Sequence, residues 1–123
     1  MLISAIKIDV VKQEVYQIQI ENDLDAMYEV IDCQIVERVV IDHKNDLWLD
    51  EEGLLHHPQP PKFMFKGANA PFSGNGLICG YNGEGQTIST TLTTEEIEPR
   101  ILFLGDAHIE PQCGFIPWDE LPK

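Results

Sequence analysis

The feature that most constrains this chain is a two-residue alternation at its start. From Ala5 to Val10 apolar and polar side chains alternate, with Ile6, Ile8 and Val10 on one side and Lys7 and Asp9 on the other, the period of a half-buried strand. Residues 14–20 repeat the pattern, so that Tyr16, Ile18 and Ile20 are expected to face a core while Gln17 and Gln19 face water. The polar pair Lys12-Gln13 between the runs suits a hairpin turn. The chain is therefore expected to open with a β-hairpin.

A helix follows. Asn22 offers an N-cap, Asp23 and Asp25 place negative charge at the positive end of the helix dipole, and Leu24, Met27, Tyr28 and Ile31 form one stripe. Residues 34–42 are rich in Ile and Val, residues 46–50 alternate again, and His43-Lys44-Asn45 between them predicts a second hairpin. Asp50-Glu51-Glu52-Gly53 closes it as an acidic turn, with Gly53 free to take a positive φ. Pro58, Pro60 and Pro61 predict a surface loop over 57–62. Six of the nine glycines lie between Gly67 and Gly85. That stretch reads as a loop up to Gly76, a strand over 77–81, a tight turn at Asn82-Gly83-Glu84-Gly85 and a returning strand over 86–92. Thr93 or Thr94 caps a brief helix that Pro99 ends or kinks, and Ile101 to Leu104 suit a buried strand as well as a helix.

The expected fold class is α+β: a mostly antiparallel sheet of five to seven strands with one amphipathic helix, 22–32, packed on one face. Residues 1–104 form a single domain, and 105–123 are a Pro-rich C-terminal extension fastened by Phe115, Ile116 and Trp118. A length of 123 residues with 43% apolar content fits one globular domain.

Charge narrows the function classes. The formal net charge is −13, from 21 acidic and 8 basic residues. Direct nucleic-acid binding and attachment to anionic membranes are disfavoured, since both rest on Lys and Arg. Residues 1–53 hold thirteen of the acidic residues against four basic ones, so the first half is the expected source of a negative face that a basic partner would be steered towards. Cys33, Cys79 and Cys113 are widely spaced and odd in number, which fits free thiols in a reducing compartment. No run approaches the roughly 20 apolar residues of a membrane span, and the start lacks a signal-like segment. The expected location is the cytoplasm.

Catalytic and ligand signals are weak. Gly74-Asn75-Gly76 and Gly80 to Gly85 invite a phosphate cradle, yet neither lies at a strand-to-helix junction and Glu84 would repel an anion. His43, His56, His57 and His108 give no paired zinc spacing, so no metal and no cofactor are expected. Ser4, Ser73 and Ser89 sit in no nucleophile elbow. Asp50, Glu51 and Glu52 read as a solvated turn rather than an acid–base pair, and the chain is expected not to be an enzyme.

The run Leu47 to Leu54, the prolines at 58, 60 and 61, Gly74 to Gly80, Gly83-Glu84-Gly85 and Thr93 to Ile97 resemble an uncharacterised family of small phage- and plasmid-borne domains of unknown function. The resemblance spans residues 3–98 and leaves the stretch from Ile101 outside it. It implies a mobile-element protein of the bacterial host cytoplasm and transfers no catalytic residues.

Three functional readings follow. The first is a small acidic, non-catalytic binding protein that inhibits a host defence or nucleic-acid-handling protein by occupying its basic surface. Asp42, Asp46, Asp50, Glu51 and Glu52 would stand in for phosphates, with Trp48 as an aromatic anchor if exposed and as core if not. The alternative is a ligand-binding domain that sequesters a small nucleotide through Asn75, Gly76, Asn82 and Gly83. The third is an accessory protein that forms a homodimer through an exposed edge strand.

Overall fold

The computed structural model describes residues 1–106. The opening hairpin consists of β1 (Leu2–Asp9) and β2 (Glu14–Glu21). Asp9 builds its turn, accepting hydrogen bonds from the Val11 and Lys12 amides at 3.1 and 3.0 Å. The helix α1 spans Leu24–Ile31. Its N-cap is Asp23, whose carboxylate accepts from the Ala26 amide at 2.7 Å. Asn22, the expected cap, lies one residue too far out and donates instead to the Thr87 carbonyl at 2.9 Å.

The second hairpin pairs β3 (Val36–Val40) with β4 (Asn45–Asp50). Then come β5 (Lys62–Phe65), β6 (Phe72–Ser73), β7 (Gly76–Tyr81), β8 (Thr87–Ile88), the four-residue α2 (Thr94–Ile97) and β9 (Ile101–Gly105). Thr93 caps α2 in a reciprocal box with Glu96, and Pro99 lies in a 3-10 turn that follows.

These nine strands form two sheets, where the sequence predicted one of five to seven strands, and every pairing is antiparallel. The larger sheet runs β2-β1-β7-β4-β3, with β8 beside the far end of β7. The smaller runs β6-β5-β9. Of its strands, β6 lies in a stretch read from sequence as loop, and β5 starts at the last residue of the loop read over 57–62 and runs through residues to which no element was assigned. Phe63 and Phe65 alternate with the half-buried Met64, but the run is only four residues long and follows three prolines. The returning strand expected over 86–92 shrinks to Thr87–Ile88.

The larger sheet is the middle layer. On one face Ile6, Ile8, Val10, Leu47, Leu49 and Ile78 pack against Phe63 and Phe65 of the smaller sheet and Ile97 of α2. On the other, Ile3, Ala5, Ile20, Leu77 and Cys79 meet Met27 and Ile31 of α1. The two apolar sets of the opening hairpin therefore point in opposite directions. The register sets Ile18 opposite Ala5, so the Ile18 and Ile20 set faces α1 while the Ile6 and Ile8 set faces the smaller sheet. Leu24, expected in the buried stripe of α1, is 50% exposed.

Gly53 has no positive φ; it is needed because a Cβ there would strike the Ser73 carbonyl oxygen. The expected tail anchors Phe115, Ile116 and Trp118, and with them His108 and Cys113, lie outside the described residues.

Candidate functional site

Alternation along β4 decides where the predicted acidic contacts go. Asn45, Leu47 and Leu49 point one way, with both leucines packed in the core beneath the smaller sheet, so Asp46, Trp48 and Asp50 point to the α1 side. That side is covered too. Asp46 is 3% exposed and Asp50 7%, which corrects the expectation of an exposed carboxylate row.

Each of these groups has internal work. Asp42 accepts from the Lys44 amide at 2.7 Å and from the Asn45 side chain at 3.2 Å. Burial alone would push its carboxyl up, but these bonds outweigh it and hold it below the usual range. Asp46 lies 3.6 Å from the Arg38 Nε. Burial, aided by Asp42, pushes its carboxyl up against the Arg38 charge, and its Oδ1 has no hydrogen-bond partner. Trp48 is half-buried among the α1-side apolar residues, directly across the hairpin from Arg38, whose guanidinium sits 5.7 Å from its ring centre. Its packing role therefore dominates over that of a free anchor.

Asp50 is the centre of the site. Its Oδ1 accepts from the Glu52 amide at 2.9 Å, and its Oδ2 lies 2.6 Å from His56 Nε2. A 3-10 turn at Gly53–Leu55 carries His56 back over the end of β4 to make this contact. Glu37, on the neighbouring strand, completes an acidic group that the sequence reading missed. Burial, then the carboxylates of Glu51 and Asp50, push the Glu37 carboxyl up. Glu51 is exposed and Glu52 half-buried.

A cavity of about 1150 Å³ opens beside His56, lined in part by Asp32, Cys33, Glu52, His57 and Asp106, while Asp50 lines a smaller one of about 390 Å³ with Glu37 and Glu51. No Lys or Arg is among the described residues that line either cavity. Burial, followed by Asp50 and Asp32, pushes the Cys33 thiol up to about 11, so it is a neutral thiol at physiological pH rather than a nucleophile. Among the described residues no group of three or more His, Cys, Asp or Glu is arranged to hold a metal ion. The arrangement is suited to attracting a cationic group.

The residues of the alternative ligand reading do not converge. Asn75 uses its Oδ1 on the Val10 amide at 3.0 Å, and Gly76 is buried under Leu47, Phe63 and Ile8. Asn82 and Gly83 lie at the opposite end of β7, where the Asn82 Oδ1 accepts from the Glu84 and Gln86 amides of its own turn. They border a separate cavity of about 590 Å³ with His43, Lys44 and Tyr81.

No helix among the described residues is long and apolar enough to cross a membrane. Neither the curated proteins nor the solved structures contain a match to this chain. A family model does match, over residues 3–102. That span takes in the larger sheet from Ile3 onward, β5 and β6 of the smaller one, α1 and the carboxylates around Asp50, and the chain belongs to the family described as a domain of unknown function, DUF3846.

Proposed function

We propose that this protein is a small acidic, non-catalytic binding protein that occupies a basic surface of a partner protein. The observation that carries this reading is that Glu37, Asp50 and Glu51 line one cavity of about 390 Å³, where burial, then Glu51 and Asp50, raise the Glu37 carboxyl. A fold that holds like charges together gains when a cationic partner neutralises them. The net charge of −13 supplies the long-range attraction. The contacting set is revised from the sequence reading: Glu37, Glu51 and Glu52 replace the buried Asp46 and Asp50 and Asp42, whose carboxylate is bonded to its own turn, and Trp48 serves packing. The resemblance extends the proposal to a mobile-element protein that inhibits a defence or nucleic-acid-handling protein in the host cytoplasm.

The test is affinity capture from a bacterial lysate at about 50 and about 500 mM salt, where screening lengths fall from more than about 10 Å to less. Wild type is compared with a Glu37→Lys, Glu51→Lys, Glu52→Lys triple variant. The expected result is a basic protein retained at low salt, released at high salt and lost with the variant. Retention indifferent to both salt and charge reversal refutes the proposal.

A further inference from the structure

The outer strand β3 (Val36–Val40) ends the larger sheet, and no strand pairs with its far side among the described residues. Its hydrogen-bonding phase follows from two bonds to the neighbouring chain: the Ile35 carbonyl accepts from the Glu51 amide, and the Ile41 amide donates to the Asn45 carbonyl, both at 3.0 Å. In an antiparallel ladder inward- and outward-facing residues alternate. Residues 35, 37, 39 and 41 therefore face β4, and the backbone N–H and C=O groups of Val36, Arg38 and Val40 face outward.

Edges of this kind are usually blunted by charge, bulges or cover, since they are templates for an added strand. This one carries exposed apolar side chains, with Ile35 46% and Val40 65% exposed. Its charge is lopsided as well. Glu37, exposed on the same strand, feels Glu51 and Asp50 from the adjoining turn, while Arg38 is committed to Asp46 and to the Trp48 ring.

Resting on the acidic-binder reading above, we infer that the β3 edge is where the partner is held, by strand addition of an extended segment that alternates Lys or Arg with apolar residues. Backbone bonds to Val36, Arg38 and Val40 supply the pairing. The basic side chains of the added strand fall on the face of Glu37 and Val39, opposite the unneutralised carboxylate. Its apolar side chains fall on the face of Val36, Arg38 and Val40. A second copy of this chain suits the edge less well: pairing centred on Arg38 opposes two arginines and brings together two chains of net charge −13.

The experiment uses the full-length ¹⁵N-labelled chain and a blocked decapeptide of alternating Lys and Val, with a Glu-Val decapeptide as control. The expected result is that the Lys-Val peptide alone shifts the Val36, Arg38 and Val40 amides and slows their exchange with solvent. Val40→Pro removes an outward N–H without touching a bond to β4, and should weaken binding about tenfold. Glu37→Lys alters only an exposed side chain, should weaken binding at least as much, and decides the matter if the proline variant does not fold. Three results overturn the inference: no shift at β3 with the Lys-Val peptide, equal binding of both peptides, or β3 shifts that depend on protein concentration without any peptide, which assign the edge to a second copy. Shifts confined to the cavity around His56 overturn the edge assignment alone and leave the acidic-binder reading standing. That reading falls separately if salt and charge reversal leave partner capture unchanged.

Discussion

Gly76 separates two explanations of the glycine-rich stretch. A glycine kept for close approach of a phosphate would tolerate alanine without loss of stability, at the expense of ligand binding. In the structure a Cβ at position 76 would lie 3.1 Å from Leu47 Cδ1, 3.1 Å from Phe63 Cζ and 3.2 Å from Ile8 Cδ1. Comfortable carbon contacts are about 3.5–4.0 Å, so three neighbours on three strands must each yield by several tenths of an ångström. None yields freely, because all three are fully buried in one cluster. Retreat of β7 is blocked too, since Leu77 and Cys79 on its other face are packed on α1. Overpacking of such a core costs about 1–3 kcal/mol, and the crowding on both faces places Gly76→Ala in the upper half of that range. Gly83→Ala is the internal control: a Cβ there meets nothing within 4 Å and its φ is not positive, so its effect should stay within about 0.5 kcal/mol. Urea titration with extrapolation to water measures both, and an unchanged slope shows that only stability has moved. Equal stability of Gly76→Ala and Gly83→Ala would refute the packing account.

Three further outcomes follow from the geometry. Asp23→Ala should destabilise the protein by about 1 kcal/mol through loss of the α1 cap, while Asn22→Ala removes one exposed hydrogen bond and should cost less; thermal unfolding of both ranks them. Glu37 binds its proton more tightly when folded, so the stability associated with its raised carboxyl is present below its ordinary value and lost as pH rises through the folded one. Glu37→Gln should accordingly stabilise the protein at pH 7, with the difference from wild type disappearing by about pH 4; a gain independent of pH contradicts this. Burial and then Asp46 push the Cys79 thiol up to about 12, and burial pushes Cys33 up to about 11. At pH 8 an alkylating reagent should modify Cys33 slowly and Cys79 only after unfolding, as read by peptide mass spectrometry.

What was legible in the sequence was local. The hairpin alternation of residues 5–20, the Asn82 turn and the Thr93 capping box each depend on groups a few residues apart, and each is present. The smaller sheet was not legible because β5 and β6 are four and two residues long, and β5 pairs with β9 far along the chain. Periodicity carries no trace of such a partner. For β4 the alternation was readable but its meaning was not. One polar face of a strand normally meets water, whereas here α1 covers Trp48 and its neighbours, so Asp46 and Asp50 are buried. The Asp50–His56 contact depends on a 3-10 turn, and the approach of Glu37 to Glu51 on the hairpin register; neither leaves a spacing that could be recognised beforehand.

The count of acidic residues and the charge offered to a partner are different quantities, and side-chain length divides them. Asp9, Asp23, Asp42 and Asp50 each accept a backbone N–H within a few residues of themselves, the turn and cap chemistry that a short carboxylate favours. Much of the aspartate charge is thereby turned inward as structure. Among the described residues Glu37, Glu51 and Glu52 accept no hydrogen bond from backbone or side chain, and their longer side chains can follow a partner's lysines. Neutralising Asp42 and Asp50 to Asn therefore mixes loss of fold with loss of binding. The same change to Gln at positions 37, 51 and 52 should separate them: stability held or raised, since the Glu37 charge is disfavoured by burial and then by Glu51 and Asp50, and salt-sensitive binding lost. If the glutamate set leaves binding intact while the aspartate set abolishes it in a folded protein, the charge that matters lies on Asp42 and Asp50 and not on the three glutamates.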